Sequence, residues 1–505
     1  MKQFKKKRSG VVFKIVPLAK IAVGKDSAVG KDSAVGKDSA VGKKKLSNIF
    51  SKFLVQKTME NFNKFIKHGN LKALPYQEEG VKWCLDRESP SEQIQGGIIA
   101  DEMGLGKTIT MLAVIALQMK TAKRTLIILP PSLLEQWYMQ IHKILGHDPL
   151  IYHGEIKKTA KMIPNDTPIT LSTYGCLGNE TLQSTQWDRV IFDEAHYMRN
   201  PATKIHKNAI KLNTRSKFLL TGTPIQNKRR DLYSLFALLG LSRDTYVKEE
   251  ERKPLIQKYI LRRTKKSVGL AGQLKPLTET TTYIPWNLQD QKKRSMFLHS
   301  QLPFAKVDRE VDLDEEGRDP YYYGPPIVLL LRAKQSCVYG TRFDDKSSKI
   351  SLVAEKIIEQ KENQNKKLVF CHFRREMDML QEELECAGMI VGKIDGRITS
   401  KTERTQIFSD KEVDVLLIQI QVGAEGLNLQ QYSEIYFVSP AWNPFLEEQA
   451  IGRCYRIGQE KEVFVHRFYM DSFDSDRETI TQDLYSSSVQ EKKRKLEKEI
   501  FTIVN

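Results

Sequence analysis

No uninterrupted apolar run in this sequence approaches the ~18 residues that a membrane-spanning helix requires. The longest candidate, Val11 to Val23, is broken by Lys14 and Lys20 and has no convincing cleavage site, so a secretory leader is not expected. Cysteine is sparse: six residues, at 84, 176, 337, 371, 386 and 454, with no C-x-x-C pair. That spacing disfavours both a disulfide framework and a zinc finger, and it fits a reducing compartment. His142, His147 and His153 lie close together, but no cysteine or acidic cluster completes a metal site around them. What remains is a chain with enough apolar material for sizeable cores: 40% hydrophobic and 28% charged over 505 residues, or roughly three domains.

The positive charge is unevenly placed. Residues 1–60 carry 15 Lys/Arg against four acidic residues, which is +11 of the total +18. Ala-Val-Gly-Lys-Asp-Ser repeats three times across residues 22–39, ahead of Lys43-Lys44-Lys45. Three such hexapeptides cannot bury a solenoid core, and their Gly, Ser and charge read as a flexible linker. Residues 1–60 are therefore expected to be a low-complexity tail that associates with a polyanion, nucleic acid above all. Lys5-Lys6-Lys7-Arg8 reads as either a nuclear address or a phosphate-contacting arm.

Beyond the tail, short β-branched runs alternate with amphipathic helical stretches. Strands are expected at Gly97–Ala100, Thr125–Leu129, Ile169–Ser172, Val190–Phe192 and Phe218–Leu220, and again at Leu368–Cys371, Val415–Ile418, Ile435–Val438 and Val463–His466. Continuous apolar strands separated by helices imply parallel sheets covered on both faces. The fold class is thus α/β, with a first lobe over 61–245, a connecting and helical region over 246–346, a second lobe over 347–470 and a charged C-terminal helix over 471–505. Residues 241–346 read as irregular, with an acidic stretch from Val311 to Asp319, and a helical pattern runs from Val489 to Ile500.

Four segments carry chemistry. In Asp101-Glu102-Met103-Gly104-Leu105-Gly106-Lys107-Thr108 a buried strand meets a Gly-containing loop and a helix that opens at Lys107. Backbone N–H groups and a helix N-terminus cradle phosphates in such a loop; Lys107 can reach the β/γ oxygens and the Thr108 hydroxyl can hold Mg²⁺. Asp101 stands where the general phosphate-loop pattern has its first glycine. In Asp193-Glu194-Ala195-His196 the carboxylates follow a second buried strand, so that Asp193 can bind Mg²⁺ through water and Glu194 can polarise the attacking water. Thr221-Gly222-Thr223-Pro224 can sense the γ-phosphate through His196. Far along the chain, Gln449-Ala450-Ile451-Gly452-Arg453-Cys454-Tyr455-Arg456-Ile457-Gly458-Gln459 sets two arginines three apart, expected on one helix face. An arginine entering from a separate lobe stabilises charge on a transferring phosphoryl group, an effect of roughly 10³–10⁵ in rate.

Together these segments resemble the Swi/Snf-type branch of superfamily 2 helicase-related ATPases, over roughly residues 71–470. Asp101 is what that branch itself carries. Leu74-Pro75-Tyr76-Gln77, Leu126 to Trp137, Leu171-Ser172-Thr173-Tyr174, Leu261-Arg262-Arg263-Thr264-Lys265, Leu368 to Phe373 and Asp395-Gly396-Arg397 are similar to further blocks of the branch. The resemblance implies two RecA-like lobes, ATP and Mg²⁺ in the cleft between them, Gln77 as adenine reader, and Gln449 with His196, Thr221, Gly222 and Thr223 as coupling residues. It also implies movement along double-stranded DNA through phosphate contacts, action on chromatin or alongside transcription and repair proteins, and a nuclear address. One block departs. In Gln419-Ile420-Gln421-Val422-Gly423-Ala424-Glu425-Gly426-Leu427-Asn428-Leu429, Gln421 replaces a basic residue and Ala424 a glycine, which puts DNA coupling there in question. With no RING-type insertion, this reads as a stripped motor of the kind a large DNA virus would carry. A strand-separating helicase, an RNA helicase and a non-catalytic nucleic-acid scaffold are the alternatives. Deleting residues 1–60 should weaken DNA affinity and flatten its dependence on salt, read from Kd between ~50 and ~200 mM salt; an unchanged slope would make the tail an address or inert.

Overall fold

Sequence runs such as Leu126-Ile127-Ile128-Leu129 are apolar at every position, and such a strand is stable only where both of its faces are covered. The computed structural model describes residues 60–502 apart from 160–161, 227, 271, 273, 303–326, 340–346, 399–400, 424–428 and 475–478. The tail, the acidic stretch and residues 424–428 of the altered block therefore lie outside the described residues. In the first lobe the strands are β1 (Gln95–Ile99), β2 (Thr125–Leu129), β3 (Leu150–Tyr152), β4 (Ile169–Thr173), β5 (Trp187–Asp193), β6 (Thr214–Leu220) and β7 (Ile260–Leu261). They form a parallel sheet in the order β3-β4-β2-β5-β6-β1-β7. Helices α1 (Pro75–Arg87), α2 (Lys107–Gln118) and α3 (Leu134–Leu145) belong to the same lobe.

The period of two along each strand sorts the core into two layers. Ile98, Leu126, Ile128, Val190, Phe192 and Leu219 pack on one face of this sheet. Ile99, Ile127, Leu129, Ile191, Phe218 and Leu220 pack on the other, against α2 and α3. The second lobe repeats the arrangement with β8 (Leu277–Ile284), β9 (Lys367–Cys371), β10 (Val391–Ile394), β11 (Val415–Gln419), β12 (Glu434–Phe437) and β13 (Val463–Met470), ordered β10-β11-β9-β12-β13-β8 and again all parallel. Val369, Leu417 and Tyr436 face one layer; Leu368, Leu416, Ile418 and Ile435 face the other.

Every expected strand is present, several longer than their apolar cores. Residues 241–346 are not irregular, however. Their described part holds helices together with β7 and β8, and each of these strands completes one sheet. β8 reads Leu-Thr-Glu-Thr-Thr-Thr-Tyr-Ile and pairs with β13 along its full length. As an edge strand it is exposed on both sides and lacks the alternation that marks a half-buried strand. Its β-branched content was the available signal.

Two helices finish the second lobe: α4 (Pro444–Cys454) and α5 (Gln482–Phe501). α5 begins seven residues before the expected Val489, capped by Thr481, whose hydroxyl accepts from Leu484 N. Inside this lobe Lys349 and Asp483 are both fully buried and ion-paired, while Arg467 bonds Glu447 at 3.0 Å. Removing one partner of such a pair strands a charge in a low-dielectric interior. Asp483→Asn should therefore cost about 3–5 kcal/mol, read as a lowered denaturation midpoint, and Lys349→Met combined with Asp483→Leu should recover most of it. An unchanged midpoint in Asp483→Asn would show that the pair contributes nothing.

Candidate active site

The loop between β1 and α2 turns because two glycines take backbone angles that other residues resist: Gly104 at φ +89° and Gly106 at φ +79°. It is held from three sides. Lys107 Nζ donates to Asp101 O at 2.8 Å, across the loop. Arg263 grips the Asp101 carboxylate, with Nε at 3.0 Å from Oδ1 and Nη2 on Oδ2, and also donates to Tyr76 O. Lys265 N donates to Glu102 Oε2 at 2.7 Å. Asp101 thus has a structural reason to replace glycine: its buried carboxylate ties the loop to the segment that follows β7. Gln77, the expected adenine reader, is buried and donates from Nε2 to Leu105 O at 3.3 Å.

At the end of β5, Asp193 accepts from Trp137 Nε1 at 2.7 Å and from Glu194 N at 3.0 Å, while its carbonyl accepts from the Tyr174 hydroxyl at 2.7 Å. Trp137 and Tyr174 sit in segments whose resemblance is legible but whose role is not; Trp137 orients this carboxylate and Tyr174 holds the backbone of the same residue. Glu194 adopts φ +54°, a left-handed conformation that costs a non-glycine residue energy and recurs at functional sites. His196 Nδ1 lies 3.2 Å from Glu194 Oε2 without hydrogen-bond alignment, and neither atom has a hydrogen-bond partner among the described residues. Burial, and then the neighbouring Glu194, push the Asp193 carboxyl above its usual range. Burial also acts to raise Glu194, but His196, Lys107 and Arg453 outweigh it and hold that group low. Burial lowers Lys107, against the attraction of Glu194, Asp101 and Asp193. The charges of three carboxylates therefore act on one ammonium.

The turn after β6 closes the floor. A side chain at Gly222 would stand 3.0 Å from Met103 Cγ and 3.7 Å from Lys107 Nζ. Thr223 N donates to Thr221 Oγ1 at 3.1 Å. Among the described residues this turn is tied to Ile99 O through Thr221 N and to Arg262 through Gly222 O, and its hydrogen-bonded link toward the second lobe is made by Gln226, with no bond to the expected His196. Gln226 Nε2 donates to Thr223 Oγ1 at 3.2 Å, and its Oε1 accepts from Arg199 and from Asn443 of the second lobe, the latter at 3.2 Å.

The second lobe supplies the remaining charge. Arg453 lies in the last turn of α4, close enough for its charge to act on Glu194. Arg456 does not share that helix face, because α4 ends at Cys454 and Arg456 occupies the turn that follows. The turn still brings it to the loop: a side chain at Gly104 would lie 3.7 Å from Arg456 Cβ. Gly452 packs the same way, 3.2 Å from Met103 Cβ by the same measure. Lys265 Nζ crosses to Tyr455 O at 3.1 Å. Gln449 is buried in α4, Thr108 stands in the first turn of α2, and Gln421 is exposed beyond the end of β11.

This geometry has named relatives. A model of the SNF2-related domain matches residues 76–310 and one of the helicase conserved C-terminal domain matches residues 348–458, together about two thirds of the chain. The chain carries an SNF2-related domain followed by a helicase C-terminal domain. Among SNF2-type relatives, "Chromodomain-helicase-DNA-binding protein 1-like" of Danio rerio is 28% identical over 475 residues, covering 83% of this chain and 43% of its own length. "Protein CHROMATIN REMODELING 24" of Arabidopsis thaliana is 25% identical over 502 residues, covering 82% and 45%. The chain spans less than half the length of either. The SWI2/SNF2 ATPase core of Sulfolobus solfataricus in complex with dsDNA is 23% identical, covering 86% of this chain and 97% of its own, with a TM-score of 0.39.

At Gly106 an added Cβ would meet the Gln77 amide at 2.4 Å, besides the strain of φ +79°. Gly106→Ala should therefore weaken binding of a fluorescent ATP analogue by about tenfold or more while the thermal midpoint moves by only a few degrees. Unaltered affinity would place nucleotide binding elsewhere.

Proposed function

We propose that this chain is a DNA-dependent ATPase that couples hydrolysis in the interlobe cleft to movement along duplex DNA. The observation that carries this reading is the convergence of one lobe's phosphate loop with Arg453 and Arg456 of the other. The fit to a triphosphate rests on the chain's own groups: a glycine cradle, the Lys107 ammonium beside it, and the Glu194–His196 pair at the end of β5.

In this reading Lys107 and the backbone of 102–108 hold the β- and γ-phosphates, with Gln77 at the base side of the loop. Thr108 and Asp193 would hold Mg²⁺, which when bound supplies charge neutralisation across the phosphate oxygens. Trp137 keeps the Asp193 carboxylate aimed, while Tyr174 holds the backbone of that residue in place. Glu194, held ionised by the cations around it, orients the attacking water and takes its proton. Arg453 and Arg456 stabilise the charge that builds on the transferring phosphoryl group. The reaction is complete only when the lobes meet, so hydrolysis and lobe position are linked, and Thr221–Thr223 with Gln226 and Asn443 is the hydrogen-bonded route between them.

Contact with DNA through phosphates would be weakly dependent on sequence and strongly dependent on salt. Names of relatives that refer to chromatin and DNA binding support a chromatin or repair setting and a nuclear address, with a viral replication site as the further possibility. ATP turnover measured without nucleic acid and with duplex DNA, single-stranded DNA and duplex RNA should be stimulated most by duplex DNA. Glu194→Gln should bind ATP and abolish that turnover. Normal stimulated hydrolysis by this variant would refute the role of Glu194, and preference for RNA would refute the substrate.

A further inference from the structure

Arg262 belongs to neither the phosphate-holding nor the charge-stabilising set, yet it touches the surroundings of both. Its Nη1 donates to Ala100 O at 2.6 Å and to Gly222 O at 3.0 Å. It therefore joins the residue where β1 enters the phosphate loop to the turn beneath Lys107. Its Nη2 bonds Glu497 Oε1 at 3.1 Å, and its guanidinium lies over the Phe501 ring, 5.0 Å from the centroid. Glu497 and Phe501 are in the last turns of α5. Ile500 and Phe501 are buried in the first lobe's core, and Leu496 packs against it.

The other half of α5 is built into the second lobe. Asp483 pairs with Lys349, Gln490 Nε2 donates to Ala441 O and, at 2.8 Å, to Glu447 Oε1, and Arg494 bonds Glu448 Oε1 of α4 at 3.2 Å. One continuous 20-residue helix, about 30 Å long, is thus fastened at its start to one lobe and at its end to the arginine behind the other lobe's nucleotide loop. A hinge motion of α4 relative to α2 must stretch the contact at Glu497 or bend the helix. The two carbonyl bonds of Arg262 lie wholly within the first lobe and survive such a motion; the bond to Glu497 does not.

The energetics favour a geometric role. Both side chains of the Arg262–Glu497 pair are close to nine-tenths buried, at 13% and 12% exposure. Desolvation offsets most of the attraction in such a pair, so its net contribution to stability is small, while its dependence on geometry is steep. The charge of Glu448 on α4 also bears on Glu497, as does that of Glu102 in the phosphate loop.

We propose that Arg262 is a positioning residue that, through Glu497, makes the C-terminal helix a strut transmitting the position of the second lobe to the phosphate loop. This rests on the ATPase reading for its consequence in turnover, but not for its mechanical part. The test uses the full chain carrying Glu497→Gln, which removes the charge and keeps the shape. A fluorophore pair on Cys386, the exposed native cysteine of the second lobe, and on Lys211→Cys in the first lobe reports lobe separation. Expected are a broadened separation, ATP-analogue affinity within about twofold of wild type, and a DNA-stimulated to basal turnover ratio lowered about fivefold or more. Arg262→Lys, which cannot bridge both carbonyls and Glu497, should lower the ratio and also weaken nucleotide binding. A Glu497→Gln chain with wild-type lobe separation and ratio overturns the strut, as does a lowered thermal midpoint with both unchanged. Absence of turnover in the wild type would instead overturn the ATPase reading, and the separation measurement would still decide the strut.

Discussion

The charge of a single ammonium organises the candidate site of the first lobe. Lys107 donates to the carbonyl of Asp101 and feels the charges of Glu194 and Asp193, in a place where burial works against its own. A cation in that setting persists only if its partners stay fixed, because in a low dielectric a small displacement is costly. The surrounding bonds can be understood as meeting that requirement. Trp137 and Tyr174 hold Asp193, the left-handed backbone of Glu194 aims its carboxylate, and Arg263 anchors Asp101. Each comes from a different element, so the parallel sheet, by bringing the ends of β1, β5 and β6 side by side, is what lets them share one site.

The second lobe answers this negative-rich pocket with positive charge. Arg453 acts on Glu194, and Arg456 stands over Gly104 with its charged form disfavoured by burial and by the neighbouring Arg453. Two arginines at such proximity repel, and an anion between them and the loop would relieve that repulsion, in keeping with the proposed triphosphate. The polar contacts between the lobes among the described residues include Lys265 to Tyr455, Gln226 to Asn443 and Arg262 to Glu497, beside the apolar packing of Ile500 and Phe501 in the first lobe's core. Polar contacts of this kind can exchange for water at modest cost, whereas an extensive apolar seam would hold the lobes as one body.

Much of this was legible beforehand. The strands of both lobes announced themselves through apolar runs, since the interior of a doubly covered sheet leaves no polar position to confuse the pattern. The phosphate loop, the Asp193-Glu194 pair and the arginines were legible because their chemistry demands particular residues at fixed spacing. Edge strands were not: β8 carries threonines and a glutamate because both of its faces meet water. Arg456 was placed on a helix because spacing alone cannot show that α4 ends two residues earlier, at Cys454. The supporting partners were silent too. Trp137, Arg262, Arg263 and Glu497 are ordinary residue types whose meaning lies in a contact across 56 to 235 positions of chain.

By itself the sequence singled out the residues proposed to hold a phosphate and polarise a water, because the capacity for such chemistry belongs to the side chains and their immediate neighbours. It also determined that two parallel sheets form, because buried strands have no other stable composition. Only the tertiary structure decided that Asp101 serves Arg263, that Asp193 is steered by an indole, and that the last helix of the chain ends at the back of the nucleotide loop. Those relations arise from distances between remote segments. Such distances are set by how whole layers pack, which no local pattern of residues contains.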